Sequence, residues 1–325
     1  MHDILILLIF TTVRLLSLLF NILLFVVLFY FADRSRIPTV YIYNMLLGNS
    51  GEIVTGFIIH LFPMVLDDDT YSGFRNSVGA VITLSSTFSY EHPLYLTLLM
   101  IIQRICCVFY KKSWVFSDGM VWIYCASLAI MSLASLLIPF FSNCRINANQ
   151  RTSSFEAACV PDRHPITLFQ NRYLLLVPVI SMLLNILLII YLSLKKRHLE
   201  RSMNTNRIGI IRRTNQSQSA VASQNFEKTL LVQSISTTTF LLIYELSGLF
   251  IRSIPDAYSQ LSPETRRVIF YTRTTTASPL CFLVYFICTP SVRRLLIDRL
   301  TDVYKGVTSG AVTSIGGGLS TGVIT

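Results

Sequence analysis

A chain of 325 residues that is 52% hydrophobic and only 14% charged lies far from the composition of a soluble globular protein. Its formal charge of +10 would suit nucleic acid in a soluble chain, but the basic residues gather in short segments between long apolar runs. The expected partner is therefore the lipid bilayer rather than nucleic acid, and no Gly-rich phosphate loop or metal-spaced His/Cys cluster indicates a cofactor or metal.

A helix rising 1.5 Å per residue needs about 20 mostly apolar residues to cross the hydrocarbon core. Seven runs reach that length, at about 4–31, 41–66, 78–109, 120–141, 173–194, 229–251 and 268–288. The third carries Glu91 and His92 and the seventh carries Arg273, yet their flanking loops are short. Backbone in lipid must satisfy its own hydrogen bonds, so both read as spans. The fold class is an all-α membrane protein, a bundle of seven transmembrane helices.

The charges orient it. With the C-terminus inside, the inner segments hold most of the 27 Lys and Arg residues but only about a third of the 17 acids. Arg34 and Arg36, Lys111 and Lys112, and then Lys195, Lys196 and Arg197 fall in inner loops, while Asp67, Asp68 and Asp69 open an outer one. The expected topology is N-terminus outside and C-terminus cytoplasmic. Only three residues precede the first run, which continues past Arg14 to Ala32 without a small-x-small site, so neither a large outer domain nor a cleavable leader is expected. The inner segment of about 195–228 turns polar and reads as mobile. The seven-span domain is expected over 1–299, ending in a membrane-surface helix at about 291–299. Residues 300–325 drift into Gly, Ser and Thr and read as a disordered tail.

Polar residues within the spans fall at regular positions. Asn21 lies in the first, and Asn44 and Asn49 lie in the second, where amides tie neighbouring helices together; ordinary interhelical bonding is the plain alternative. Gln103–Arg104–Ile105 closes the third span, where Arg104 also suits a snorkelling anchor at the inner surface. Span six carries Phe240 and Tyr244. In span seven Tyr285 precedes Val292, Arg293, Arg294, Leu295 and Leu296, a pattern that suits an amphipathic surface helix.

Together these positions resemble the rhodopsin-like G-protein-coupled receptors. The spacing of Asn21, Asn44 and Asn49 is that family's, with Asn49 in place of its Asp. Arg104 stands where the family has the arginine of its Asp/Glu-Arg-Tyr motif, but Gln103 replaces the acid, so an acidic lock has to come from elsewhere, for instance Glu227. Tyr285 matches the family's tyrosine without the preceding Asn-Pro, whose places hold Cys281 and Phe282, and Pro279 is positioned to kink the helix instead. Phe240 and Tyr244 match the switch of span six, with Leu246 where the family has Pro. Landmarks kept and landmarks altered in this way are similar to the divergent nematode serpentine chemoreceptors of the Srxa or Srx groups, over essentially the whole chain. The Tyr244–Glu245 pair and the short N-terminus also look like that superfamily.

The resemblance implies a plasma-membrane chemoreceptor of sensory neurons and their cilia, with no enzyme activity. Its expected ligand is a small odorant, pheromone or metabolite and its partner a heterotrimeric G protein, with arrestin or a receptor kinase as further partners of the tail. Arg104 takes the coupling role, and Asn21, Asn49, Phe240, Tyr244 and Tyr285 the switch.

An ionisable side chain in a span costs roughly 2.5–3.5 kcal/mol on insertion scales and needs a partner or a cavity. Glu52, Glu91, His92, Glu245 and Arg273 are such residues, with Arg14 near the outer end of span one, and Glu52, Glu91, Glu245 and Arg273 are the candidate pocket residues. The carboxylates either take a cationic ligand or pair with Arg273, and Glu91–His92–Pro93 reads as a locally broken turn. Cys144 and Cys159 share the second outer loop on the oxidising side and are expected to form a disulfide that closes a lid, with two free thiols as the alternative. Gly48–Asn49–Ser50–Gly51 matches the Gly-x-Ser-Gly of rhomboid proteases, but no His follows on a later span to act as base beyond His92, since His198 lies in an inner loop. A secondary transporter of a small charged solute is the other class, resting on the intramembrane Glu and Arg residues alone.

Overall fold

The computed structural model describes residues 2–32, 38–110, 114–149, 154–159, 162–205 and 217–315. Spans one and two are single helices, α1 (His2–Phe31) and α2 (Thr39–Val65). Span three starts earlier than the sequence indicates. Its first helix, α3 (Asp68–Phe74), passes through a wide π turn, Arg75–Gly79, into α4 (Ala80–Phe109). The expected loop after Asp67 is thus helical. Asp67 accepts a hydrogen bond from the Thr70 N–H at 3.3 Å, and Asp68 and Asp69 fill the first turn, where the helix dipole favours negative charge. Hydrogen bonding by Thr70 holds the exposed Asp67 carboxyl below its ordinary value of 3.8.

Span four is α5 (Asp118–Phe141). A hairpin follows, β1 (Ile146–Asn149) against β2 (Ser154–Ala157), antiparallel with Ile146 opposite Ala157 and Asn149 opposite Ser154. Span five joins α6 (Pro165–Tyr173) to α7 (Leu176–Thr205), and span six is α8 (Ser217–Ser253), followed by the short α9 (Pro255–Gln260). Span five therefore also starts before the expected Tyr173. Residues 206–216, in the segment expected to be mobile, lie outside the described residues.

Span seven departs most from expectation. It consists of α10 (Pro263–Thr276), a turn at residues 277–279 that contains Pro279, and a π-helical stretch, Phe282–Ile287. Proline lacks the N–H that would continue the ladder, and the chain resumes with wider turns. Among the described residues six helices are long and apolar enough to cross a membrane. The seventh crossing is polar, because α10 carries Glu264, Arg266, Arg267 and Arg273. Such a segment is tolerated only against protein.

The last helix, α11 (Pro290–Ile315), corrects the expected boundary at 299, since the part of the tail from 300 to 315 is helical. The sequence after Arg299 keeps helix-compatible residues up to Gly306, and the Gly316–Gly318 run lies outside the described residues. Val292 and Leu296, one turn apart, are buried, and the Arg299 guanidinium lies 4.6 Å from the Phe31 ring centre, which ties α11 to the end of α1.

The alternating helices leave two unlike ends. One, the hairpin end, holds the start of α1 and the β1–β2 hairpin. The other, the basic end, holds Lys195, Arg197 and α11. The apolar core occupies the basic-end half, built from Leu24, Leu28, Ile42, Met45, Met100, Val284 and Tyr285. Leu16, Ile130, Leu187 and Phe250 point outward, as a lipid-facing shell requires.

Candidate functional site

The asparagine landmarks form a clasp. The Asn21 amide donates to Asn49 Oδ1 at 3.0 Å and to Ser50 Oγ at 3.2 Å, and Asn49 Nδ2 donates to the Ala277 carbonyl at 2.9 Å. One asparagine thus ties spans one and two to the broken turn of span seven, where a carbonyl is available. Asn44 bonds within its own helix, to the Val40 carbonyl. Tyr285 lies in the apolar core, and Phe240 packs against that core. Arg104 is only 4% exposed, so it is held inside the bundle and is not the surface anchor offered as its alternative. The Glu227 side chain, Arg34, Arg36, Lys111 and Lys112 lie outside the described residues.

The protease-like pattern resolves into packing. A Cβ on Gly48 would lie 2.9 Å from Pro93 Cγ, and one on Gly51 would collide with Ser89 Oγ, so both glycines let α2 approach α4. Asn49 and Ser50 face Asn21 on α1 instead. Pro93 lies within the continuous α4, so the expected broken turn at 91–93 does not occur. Contact with the glycine face of α2 accommodates its ring. His92 is buried and stacks on Phe88 at 5.8 Å, remote from any serine nucleophile role.

The pocket candidates lie toward the hairpin end. Arg14, Gly56, Tyr244, Glu245, Tyr271 and Arg273 each stand two to three turns inside their helices from that end, which puts them in one zone roughly 12–18 Å deep at 1.5 Å per residue. Glu245, 4% exposed, accepts a short hydrogen bond from the Tyr90 hydroxyl and lies 3.9 Å from Arg252. Arg273 does not pair with it. Its guanidinium lies 5.4 Å from the Tyr244 ring centre, where the missing side chain of Gly248 makes room. The expected Glu–Arg273 pair is therefore corrected: aromatic faces and Arg252 take the places reserved for it.

Glu91 accepts from Gln170 Nε2 at 3.3 Å, and that amide also donates to Ser135 Oγ at 3.2 Å, which links spans three, four and five. Glu52 accepts from Ser278 Oγ at 3.4 Å. His60 Nε2 and Thr274 Oγ1 are 3.0 Å apart, and the His60 ring lies 4.5 Å from that of Tyr271. Tyr90, His60 and Arg252 carried no signal in the sequence, and Arg14, expected near the outer end of span one, lies deeper in the bundle. Arg14 carried the clearest signal, a lone cation inside an apolar run.

The hairpin covers this end. Cys144 and Cys159 are joined in a disulfide with Cα atoms 4.8 Å apart. Arg75 of the π turn pairs with Glu156 at 2.5 Å, Asn147 Nδ2 donates to the Arg75 carbonyl at 2.9 Å, and the Ala148 N–H donates to Thr83 Oγ1 at 3.0 Å. Phe155 reaches Phe270 of α10, with ring centres 6.0 Å apart. A narrow cleft lies beneath, lined by Ile58, Tyr71, Arg75, Ile82 and Asn147 among others. Among the described residues no cluster of metal-ligating side chains occurs.

Comparison with known proteins agrees with this architecture. Residues 36–186 match the family of Caenorhabditis serpentine receptor-like proteins, class xa. The chain is also 33% identical over 280 residues to serpentine receptor class XA 10 of Caenorhabditis elegans, covering 83% of this chain and 82% of that protein. A seven-helix membrane bundle, an amide clasp between spans one, two and seven, and this extent of identity place the chain in the class xa serpentine receptor family.

Proposed function

We propose that this receptor binds a small molecule in the hairpin-end layer and couples to a heterotrimeric G protein at its basic end. The hairpin end faces outside the cell and the basic end the cytoplasm, at the plasma membrane of a sensory cell and its cilia. The observation that carries this reading is the convergence of Arg14, Glu52, Glu91, Glu245 and Arg273, from five different spans, beneath a disulfide-closed hairpin. Buried charges at that density mark a recognition site in a membrane bundle. A disulfide suits the oxidising side of the membrane, and the basic loops suit the cytoplasmic side.

A ligand that prefers one arrangement of the layer shifts the whole bundle only if the far end moves with it. The Asn49 bond to the broken turn of span seven supplies a connection, and Tyr285 lies just beyond that turn. Arg104 is the coupling residue in this reading, with Lys195 and Arg197 at the docking surface. A G-protein dissociation assay in cells, comparing wild type with Arg104→Ala across small volatile and water-soluble metabolites, tests it. The expected result is a ligand-dependent signal that the substitution abolishes, with surface level unchanged by an N-terminal epitope on unpermeabilised cells. An intact signal in Arg104→Ala removes the coupling role, and an epitope seen only after permeabilisation removes the topology.

A further inference from the structure

Arg14 is 2% exposed, several turns inside span one, and its Nε and Nη2 are buried without a hydrogen-bond partner among the described residues. Gly56 of α2 makes the seat for it, since a Cβ there would lie 2.6 Å from Nη1. Glu52, one turn along the same face of α2, balances the charge, but its carboxylate is engaged with Ser278. Across the layer, Arg273 also leaves its buried Nε without a partner and holds its guanidinium against the Tyr244 ring. Tyr244 lies within electrostatic reach of Arg14, Arg273, Glu52 and Glu245. Phe10 stacks on Tyr271 at 5.6 Å and lines the same layer with aromatic surface.

A guanidinium fork with unused donors in a low-dielectric site matches the two oxygens of a planar carboxylate, and the aromatic surface beside it suits an organic acid rather than inorganic phosphate. Neither acid of this layer fills that position, since Glu52 is engaged with Ser278 and Glu245 with Tyr90 and Arg252. We propose that Arg14 is the anchor for the carboxylate of an acidic ligand, with Arg273 as the second positive wall and the ligand's apolar or aromatic body against Tyr244 and Tyr271. This rests on the receptor reading above and narrows its ligand to organic acids.

The test uses the purified full-length receptor and three probes of one shape: benzoate, benzyl alcohol and benzylammonium, at equal ionic strength against chloride. Benzoate is expected to raise the melting temperature by a few degrees in a saturable manner, and neither other probe to match it. The shift is expected to vanish in Arg14→Gln. The double variant Arg14→Gln/Glu52→Gln removes both charges, so it keeps the bundle balanced if the single variant fails to fold, and it too should be blind to benzoate. No benzoate shift in wild type, an undiminished shift in the folded variants, or a larger shift with benzylammonium would overturn the proposal. Coupling through Arg104 is read in cells and stands or falls separately.

Discussion

The two halves of this bundle bury polar groups in lipid by different chemistry. The hairpin-end half concentrates ionisable side chains of both signs, held by tyrosine hydroxyls, arginines and ring faces. The basic-end half has an apolar core, and its buried polar groups are mainly amides and hydroxyls: Asn21 with Asn49, Asn185 with Ser234, and the Gln233, Thr237 and Thr238 stripe of span six. Amide and hydroxyl bonds between membrane helices contribute only about 0.6 kcal/mol on average and exchange partners easily. Charges cost more to expose or unpair, so they fix geometry. One half is held by charges and ring faces, the other by neutral amides and hydroxyls.

The sharpest way to break that contrast is to remove one charge and one amide. Glu245→Leu leaves the Tyr90 hydroxyl without its acceptor, while the 40% exposed Arg252 keeps its bonds to the Gly248 and Asn171 carbonyls, and it should destabilise the protein by about 1–3 kcal/mol, the scale for an unsatisfied buried polar group. Gln233, 1% exposed with both amide atoms unpartnered among the described residues, is the counter-case. Gln233→Leu should be neutral or stabilising by about 1 kcal/mol, since an unsatisfied amide is replaced by an apolar group of similar size. Thermal unfolding of both variants in detergent decides. If Gln233→Leu proves as damaging as Glu245→Leu, the two halves do not differ as described.

The disulfide-closed hairpin comes next. Cys144→Ser should lower stability by about 3 kcal/mol, the loop-closure estimate for a cross-link of this length, and the thiol reductant dithiothreitol should bring wild type to the same melting temperature. Leu substitution at Gly51 should cost roughly 1–3 kcal/mol through collision with Ser89, read as reduced surface level, whereas the same change at Gly73, which has open space around it, should be tolerated. The smallest effect concerns Asp67. Its carboxyl is held below 3.8 in the folded state, so its helix cap is fully present above the unfolded value and fades as pH falls through the folded one. The melting-temperature difference between wild type and Asp67→Ala should stay constant from neutral pH down to about 5 and shrink below about 4.

Element existence was legible because lipid imposes it: long apolar runs must be helices, and six meet that requirement outright. The ends were not. Asp67 caps a helix that extends span three by several turns, but a run of three acids also describes a loop. The break in span seven was signalled by Pro279, while the polarity of α10 left no apolar signal with which to locate its start. In the site, spacing identified Asn21 and Asn49 because their bond joins helices in fixed register. It gave the wrong partner for Arg273, because opposite charge on two adjacent spans says nothing about Tyr244 lying between. Gly56 and Gly248 explain both arginines, yet a glycine reveals what fills its missing Cβ only in three dimensions.

The broken, arginine-bearing span seven also bears on how the protein is made. Arg266, Arg267 and Arg273 give α10 a composition that does not enter a bilayer unaided, and the open carbonyl of Ala277 needs the Asn49 amide to satisfy it. Its entry into the membrane therefore depends on a template of earlier helices already waiting beside the translocon, with Asn49 and Tyr244 among the groups that receive it. The last crossing is thus the one whose place in the membrane rests most on contacts with the helices before it.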